Sequence, residues 1–204
     1  MIPGFKRNFL EPSIFAFTEK GQRANGETNE RGEKMELKEL TDKMIDLLGI
    51  KNINEMSERL FEVVTQNDNE IYDKFCKLVE NDLTVDWLQM IYQYYQADRK
   101  EKKQDYTPKS LAKLMGMLIC EDSEIIIDLC AGSGALTIQR WNMKQDQHFE
   151  LHEFDERVIP FLLFNMAVRN ITCKVYHADV LQNELYHMYS VKKGDRYGNV
   201  KEVI

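Results

Sequence analysis

The segment from Ile125 to Leu136 constrains the fold of this chain more than any other segment. The β-branched run Ile125-Ile126-Ile127, flanked by charged residues, is typical of a buried parallel strand. A turn with two glycines follows at once, Asp128-Leu129-Cys130-Ala131-Gly132-Ser133-Gly134, and the next residues, near Ala135–Met143, predict a helix. A strand that passes through a glycine turn into a helix indicates an α/β fold.

The same alternation continues along the chain. A helix is predicted around Leu111 to Leu118 before the first strand. After the first strand and its helix, we expect a strand at Phe149–His152, a helix over Val158 to Val168 and a strand from Cys173 to His177. The order β-α-β-α-β predicts an α/β domain with a parallel sheet over residues 104–204.

The residues before this domain have a helical period. Apolar side chains recur at helical spacing from Met35 to about Lys103, which predicts four helices in a module at 35–103. Gly49, Asn67 and Asn69 lie at the expected breaks. Residues 1–34 are rich in glycine and polar residues between Thr18 and Lys34, so we expect a flexible N-terminal arm there.

Composition limits the class of protein. The 204 residues carry a net charge of -7, which argues mildly against DNA binding by this chain alone. The four cysteines are widely spaced with no C-x-x-C, so we expect a reducing cytoplasm and no metal site. No apolar run approaches the roughly 18 residues of a membrane helix, and no signal peptide is visible.

The glycine turn is the first candidate binding site. Gly132 and Gly134 allow positive φ and close approach of a ligand, and Asp128 is placed to take a ligand's ammonium group. Position 137 is Thr, so the turn lacks the third small residue of the dinucleotide fingerprint. It therefore suits a nucleoside without a pyrophosphate better than NAD. The alternative is a purely structural strand–helix turn.

Two further acids are expected beside this turn. Glu153 follows the second predicted strand and is placed to accept hydrogen bonds from ribose hydroxyls. Asp179 follows the third predicted strand and can reach an adenine amino group at the same sheet edge. A helix N-cap is the ordinary alternative for an acid at such a position, and Asp155 is a candidate for that cap.

The order Tyr106-Thr107-Pro108, Asp128 to Gly134, Glu153 and Asp179 resembles the N6-adenine DNA methyltransferases. It is most similar to the modification subunits of type I restriction–modification systems, over residues 35 to 181. The resemblance implies a Rossmann-like, S-adenosylmethionine-dependent methyltransferase fold, here with a partial sheet, after an N-terminal helical module. It also implies a DNA methyltransferase component that transfers a methyl group to adenine N6.

The resemblance assigns each matching residue a role toward S-adenosylmethionine. The methionine end of the cofactor would meet the Tyr-Thr-Pro segment and Asp128, and the small residues of the turn would form the backbone cradle. Glu153 would bind the ribose. Phe154, Asp179 and Val180 would lie at the adenine. The complete set of cofactor-binding residues is Tyr106, Thr107, Pro108, Asp128, Ala131, Gly132, Gly134, Glu153, Phe154, Asp179 and Val180.

The chain departs from that family at the catalytic motif. The family it resembles carries Asn (or Asp or Ser)-Pro-Pro-aromatic after its fourth strand, and the aromatic ring of this motif stacks on the flipped base. These 204 residues contain no Pro-Pro, so no catalytic residue is assigned and enzymatic activity stays open. One hypothesis is the cofactor-binding part of a methyltransferase, and the alternative is a non-catalytic S-adenosylmethionine-binding module with a structural or regulatory role. A third hypothesis is a different Rossmann-like enzyme with a nucleotide cofactor, against which the upstream Thr-Pro segment and Thr137 count.

The expected partners follow from these hypotheses. DNA would be reached through a complex with specificity and restriction subunits, or with a chain that supplies the missing half. A half sheet would also leave its first strand as an unpaired edge, which predicts self-association or a covering partner. No membrane partner is expected.

Overall fold

Five strands form one sheet in the order β1-β2-β3-β4-β5 within the residues described by the computed structural model, which are 36–96, 107–119 and 122–204. The strands are β1 (Ile125–Asp128), β2 (His148–Glu153), β3 (Cys173–Asp179), β4 (Glu184–Lys192) and β5 (Asn199–Glu202). The helices are α1 (Leu37–Leu48), α2 (Met56–Gln66), α3 (Asn69–Leu78), α4 (Trp87–Tyr95), α5 (Lys109–Leu118), α6 (Ala135–Met143) and α7 (Ile159–Val168). A 3-10 turn at Ile53–Glu55 precedes α2. The predicted arm at 1–34 lies outside the described residues.

The sheet is mixed rather than parallel throughout. β1, β2 and β3 are parallel neighbours, which confirms the α/β class, whereas β4 and β5 are added antiparallel. The reason is the short connection after β3, where Asp179 Oδ1 accepts the N–H groups of Leu181 at 2.9 Å and Gln182 at 3.0 Å. A connection of this length permits only antiparallel pairing.

The two faces of the sheet differ in burial. Phe149, Leu151 and Val175 point into the core beneath α7, which is buried along its whole length. Ile125 and Ile127 pair with His148 and Glu150, whose side chains lie on the other face of the sheet. These two isoleucines are 56% and 59% exposed. The prediction that β1 is a buried strand is therefore wrong, because the described helices cover the face to which Ile126 and Asp128 belong.

The N-terminal helices pack on α7 and share its core. Phe164 of α7 makes edge-to-face contacts with Tyr72 and Phe75, with ring centroids 5.2 Å and 5.1 Å apart. Phe161 makes the same kind of contact with Tyr92 of α4 at 5.1 Å. Contacts between Cα atoms group Met35–Ile204 into one compact unit.

Helix ends follow the local sequence. Gly49 ends α1 with φ +67° and Asn67 ends α2 with φ +52°, as their positions predicted. Asn69 is instead the first residue of α3, and Asp68 is the N-cap, accepting from Glu70 N and Ile71 N.

Among the described helices, none has the length and apolar character needed to cross a membrane.

Candidate ligand site at the glycine turn

The glycine turn lies between the end of β1 and the start of α6. Gly132 has φ +56° and Gly134 has φ +98°, so both adopt the left-handed region predicted for them. Ala131 N donates to His152 O at 2.9 Å, and Gly134 N donates to Ala131 O at 2.9 Å. The turn is therefore closed on itself and attached to the end of β2.

Gly134 has a packing role that its motif did not reveal. A Cβ at this position would lie 2.7 Å from Met166 Cε and 3.0 Å from Leu162 Cδ1, both on α7. Such distances are too short for a carbon–carbon contact, so the ends of these two flexible side chains would have to shift to admit a Cβ. At Gly134 backbone conformation is therefore the main reason for glycine, and the packing against α7 adds to it.

The acids at the ends of the parallel strands form a staggered row. Asp128 pairs with Leu151 in the register, and Glu153 lies two residues further along β2 on the same face. Glu153 in turn pairs with His177, and Asp179 lies two residues beyond it on β3. Each acid is thus offset from the last by about two residues, or roughly 7 Å along the strand.

Asp128 presents an open acceptor at the end of β1. Its Oδ1 accepts from Cys130 N at 3.1 Å, whereas Oδ2 is buried and has no hydrogen-bond partner in the described part of the chain. Burial raises the pKa of this carboxyl group, and the Cys130 N–H and nearby His152 oppose the rise. A buried carboxylate oxygen without a donor favours a ligand that brings one.

Glu153 connects the glycine turn to the end of β2. Its Oε2 accepts from Gly132 N at 2.9 Å, and its Oε1 accepts from Asp155 N at 2.7 Å. Burial raises the pKa of Glu153, and the backbone N–H groups of Asp155 and Gly132 oppose the rise. Each oxygen of an ionised carboxylate has a second lone pair, so the group can still accept from ligand hydroxyls.

Three other predicted residues lie around Glu153 and the β3–β4 turn. Phe154 is 55% exposed, and its backbone carbonyl oxygen lies 3.2 Å from His177 Nε2. Asp179 uses Oδ1 to hold the turn after β3, and Val180 is the first residue of that turn. Asp155 accepts from Arg157 N at 3.2 Å, but Val158 is the N-cap residue of α7, so Asp155 caps the preceding turn instead.

The Thr-Pro segment leads into α5. Pro108 is at the N-cap position of α5, Thr107 precedes it, and Tyr106 lies outside the described residues. The helix packs on α6, where Arg140 Nη1 donates to Gly116 O at 3.1 Å. The structure thus places α5 against the helix that the glycine turn opens.

A buried polar group behind the turn was missed at the sequence level. Ser133 Oγ donates to Asp86 Oδ2 at 2.7 Å, and Asn165 Nδ2 donates to Ser133 O at 2.8 Å. One signal was visible, because Asn165 is the lone polar residue in the apolar run of α7. A polar residue in such a run must find a buried partner.

No cluster of three or more His, Cys, Asp or Glu side chains suited to a metal ion occurs in the described ranges.

A protein-family model described as N-6 DNA Methylase matches residues 79–195, which is more than half of the chain. The matched region contains α4 to β4 and thus the glycine turn and the three acids. No curated protein and no solved structure matches the chain.

Proposed function

The chain belongs to the N-6 DNA methylase family, and we propose that it is the S-adenosylmethionine-binding part of an adenine-N6 DNA methyltransferase in a restriction–modification system. The observation that carries this proposal is the acid pair at the glycine turn. Among the described residues, Asp128 has a buried oxygen without a hydrogen-bond partner, and Glu153 accepts a hydrogen bond from Gly132 N in the turn. We further propose that the three parallel strands are the first part of a Rossmann-like methyltransferase sheet, as in the type I modification subunits.

The donor and acceptor set fits S-adenosylmethionine. Asp128 Oδ2 offers an acceptor for the ammonium group of the cofactor's methionine end. The two oxygens of Glu153, each with a spare lone pair, suit two neighbouring ribose hydroxyls. The exposed Phe154 ring next to Glu153 suits stacking against an adenine.

The remaining proposed contacts follow the order of the chain. Thr107 and Pro108, with Tyr106 before them, would line the methionine end. Asp179 and Val180 would meet the adenine edge. The backbone cradle would be formed by Ala131, Gly132 and Gly134.

The chemistry favoured by the site is direct transfer. S-adenosylmethionine supplies a methyl group on a sulfonium, so the protein has to bind and orient rather than form a covalent intermediate. Cys130 lies in the turn, but burial and the nearby carboxylates of Glu153 and Asp128 raise the pKa of its thiol. A neutral thiol is a poor nucleophile, and this supports a positioning site over a covalent one.

A second candidate is a non-catalytic S-adenosylmethionine-binding module. It is favoured by one observation, the lack of any Pro-Pro in these 204 residues. Incubation with methyl-labelled S-adenosylmethionine and adenine-containing DNA separates the two. Label in the DNA when the chain is combined with specificity and restriction subunits, or with a chain supplying Asn-Pro-Pro-aromatic, favours the enzyme. Saturable binding without transfer in all these combinations favours the module.

We propose that DNA is reached through such a complex rather than by the chain alone, since the net charge is -7. We propose a cytoplasmic location, because widely spaced cysteines without a paired motif suit a reducing compartment.

The decisive experiment is a calorimetric titration with S-adenosylmethionine. Wild type is compared with Asp128→Ala and Glu153→Ala, and Glu150→Ala is the control because Glu150 lies on the opposite face of β2. We expect saturable binding in wild type and in the control, and its loss in both site variants. No binding by a wild type shown to be folded, or equal binding by all four proteins, would overturn the proposal.

A further inference from the structure

Four buried polar side chains lie behind the glycine turn and form what we call the Asp86 network. Its members are Asp86, Ser133, Asn165 and Arg169, whose residues are 7%, 1%, 0% and 3% exposed. They come from three separate parts of the fold. Asp86 is the N-cap of α4, Ser133 is in the turn, and the other two lie at the C-terminal part of α7.

Both carboxyl oxygens of Asp86 accept hydrogen bonds from other members of the network. Asp86 Oδ2 accepts from Ser133 Oγ at 2.7 Å, and Asp86 Oδ1 accepts from Asn165 Nδ2 at 2.9 Å. The same Oδ1 accepts from Gln89 N at 3.0 Å, which caps α4. Arg169 Nη1 donates to Asn165 Oδ1 at 2.8 Å.

The positive charge of Arg169 offsets part of the cost of burying the Asp86 carboxyl group. Burial raises the pKa of Asp86, and the positive charge of Arg169 opposes the rise. Burial lowers the pKa of Arg169 to about 10, and Asp86 opposes that fall. Removing either charge would leave the other buried without compensation.

The network also fixes the segment that carries Asp86. Arg169 donates to the carbonyl oxygens of Leu83 at 2.8 Å and Val85 at 2.7 Å. Gln139 and Asn142 of α6 donate to Thr84 O at 3.1 Å and 3.0 Å. Asp86 is therefore held from both α6 and α7, the two helices next to the turn.

Ser133 makes two hydrogen bonds to the Asp86 network, and it lies between two glycines. Its hydroxyl donates to Asp86, and its carbonyl oxygen accepts from Asn165 Nδ2 at 2.8 Å. The residues on either side are Gly132 and Gly134, which have the fewest intrinsic restrictions on φ and ψ. Fixing the residue between two glycines restricts the direction of the Gly132 N–H, which meets Glu153 Oε2.

We propose that Asp86 is a positioning residue, which acts through Ser133 to hold the glycine turn in the shape that binds S-adenosylmethionine. Its part in binding rests on the proposed function, whereas its effect on the turn does not. Asp86 itself has no contact with the cofactor in this role. It links the segment before α4 to the cofactor cradle.

The test compares Asp86→Asn and Ser133→Ala with a control, Asn67→Ala. Asn67 makes two hydrogen bonds to the backbone of Val200 in β5, so its loss lowers stability without touching the network. Two quantities are measured in the full chain. One is the amide hydrogen-exchange rate of residues 131–134 relative to core strand residues, and the other is the dissociation constant for S-adenosylmethionine.

We expect both network variants to speed exchange in the turn selectively and to weaken binding by about tenfold or more. The control should lower the melting temperature but leave both the relative exchange of the turn and the affinity unchanged. A purely structural role would raise exchange throughout the protein instead. If Asp86→Asn does not fold, Ser133→Ala decides, because it removes only one hydroxyl.

The outcomes separate this inference from the proposed function. Exchange in the turn that is unchanged, or raised no more than in the core, overturns the positioning role. If wild type does not bind S-adenosylmethionine, the proposed function fails and the exchange result alone decides whether Asp86 positions the turn. Selectively faster exchange with unchanged affinity overturns the claim that this positioning serves binding.

Discussion

The backbone N–H of Gly132 donates to Glu153 Oε2 at 2.9 Å and thereby joins the glycine turn after β1 to the end of β2. Glu153 is thus both a part of the turn's structure and the acid proposed to bind ribose. Its second oxygen is held by Asp155 N at 2.7 Å. Because both oxygens accept from backbone N–H groups, these hydrogen bonds fix the orientation of the carboxylate.

We predict that Glu153→Gln destabilises the protein by about 1–3 kcal/mol, because the amide NH2 would face one of two backbone N–H donors. Urea unfolding measures this loss, and calorimetry should show weaker S-adenosylmethionine binding. Glu150→Gln is the matched control, since Glu150 makes a surface ion pair with Lys174 at 3.1 Å and, within the described residues, no contact with the turn. Equal stability of the two variants would contradict the bridging role.

Gly134→Ala should destabilise the protein more than Gly49→Ala does. Both positions have positive φ, but a Cβ at Gly134 would meet α7 within 3.0 Å, whereas at Gly49 it would meet nothing within 4 Å in the described part of the chain. Backbone strain alone costs about 1 kcal/mol, and displacing the side-chain ends of Met166 and Leu162 at Gly134 adds about 0.5–1.5 kcal/mol. Thermal unfolding of both variants measures the difference. Equal losses would show that α7 can shift to accommodate the methyl group.

The stability of Asp128→Asn relative to wild type should depend on pH. Burial raises the pKa of Asp128 above its ordinary value of 3.8, so the native state holds this proton more tightly than the unfolded state does. Wild type therefore loses stability as pH rises from about 3.8 through the raised pKa, and the variant lacks that loss.

The difference in unfolding free energy, variant minus wild type, should thus increase as pH is raised from 4 to 7, with urea unfolding as the measurement. The same variant should lose affinity for S-adenosylmethionine, which would make Asp128 a group that serves binding at some expense of stability. A difference that grows as pH falls would contradict the direction assigned to this carboxyl group.

We predict that β1 is covered by a partner or by a second copy of the chain. Within the described residues β1 pairs only with β2, and Ile127 is exposed on its open face. Light scattering after size-exclusion chromatography should show association that Ile127→Lys reduces. Leu181→Lys, in the exposed turn after β3, should leave it unchanged. A wild type that is monomeric alone and in the presence of its partner subunits would contradict this prediction.

The helices and the first three strands followed from local patterns. The predicted helix at Ala135–Met143 has the observed bounds, because a glycine turn marks its start. The β4–β5 hairpin did not follow, since its direction depends on the turn that Asp179 holds. Likewise, the exposure of Ile125 and Ile127 reflects which face the helices cover, and a run of isoleucines does not encode that.

The residues of the candidate site likewise fall into those that local sequence patterns predicted and one that they did not. Asp128 and Glu153 were found from their spacing after strands, and the structure connects both to the glycine turn. Asp86 was not found, because it lies 47 residues from Ser133 and 79 from Asn165 along the chain. Buried polar contacts between distant segments leave no regular period in the sequence.

The attachment of the β4–β5 hairpin to the N-terminal helices has a consequence for the order of folding. Asn67 bonds to Val200, 133 residues later, and Asp73 accepts from Tyr197 Oη, 124 residues later. During synthesis α2 and α3 therefore cannot complete their packing until almost all of the described chain has been made. Such distant closures slow folding, and the incomplete chain exposes apolar helix faces to aggregation until the hairpin arrives.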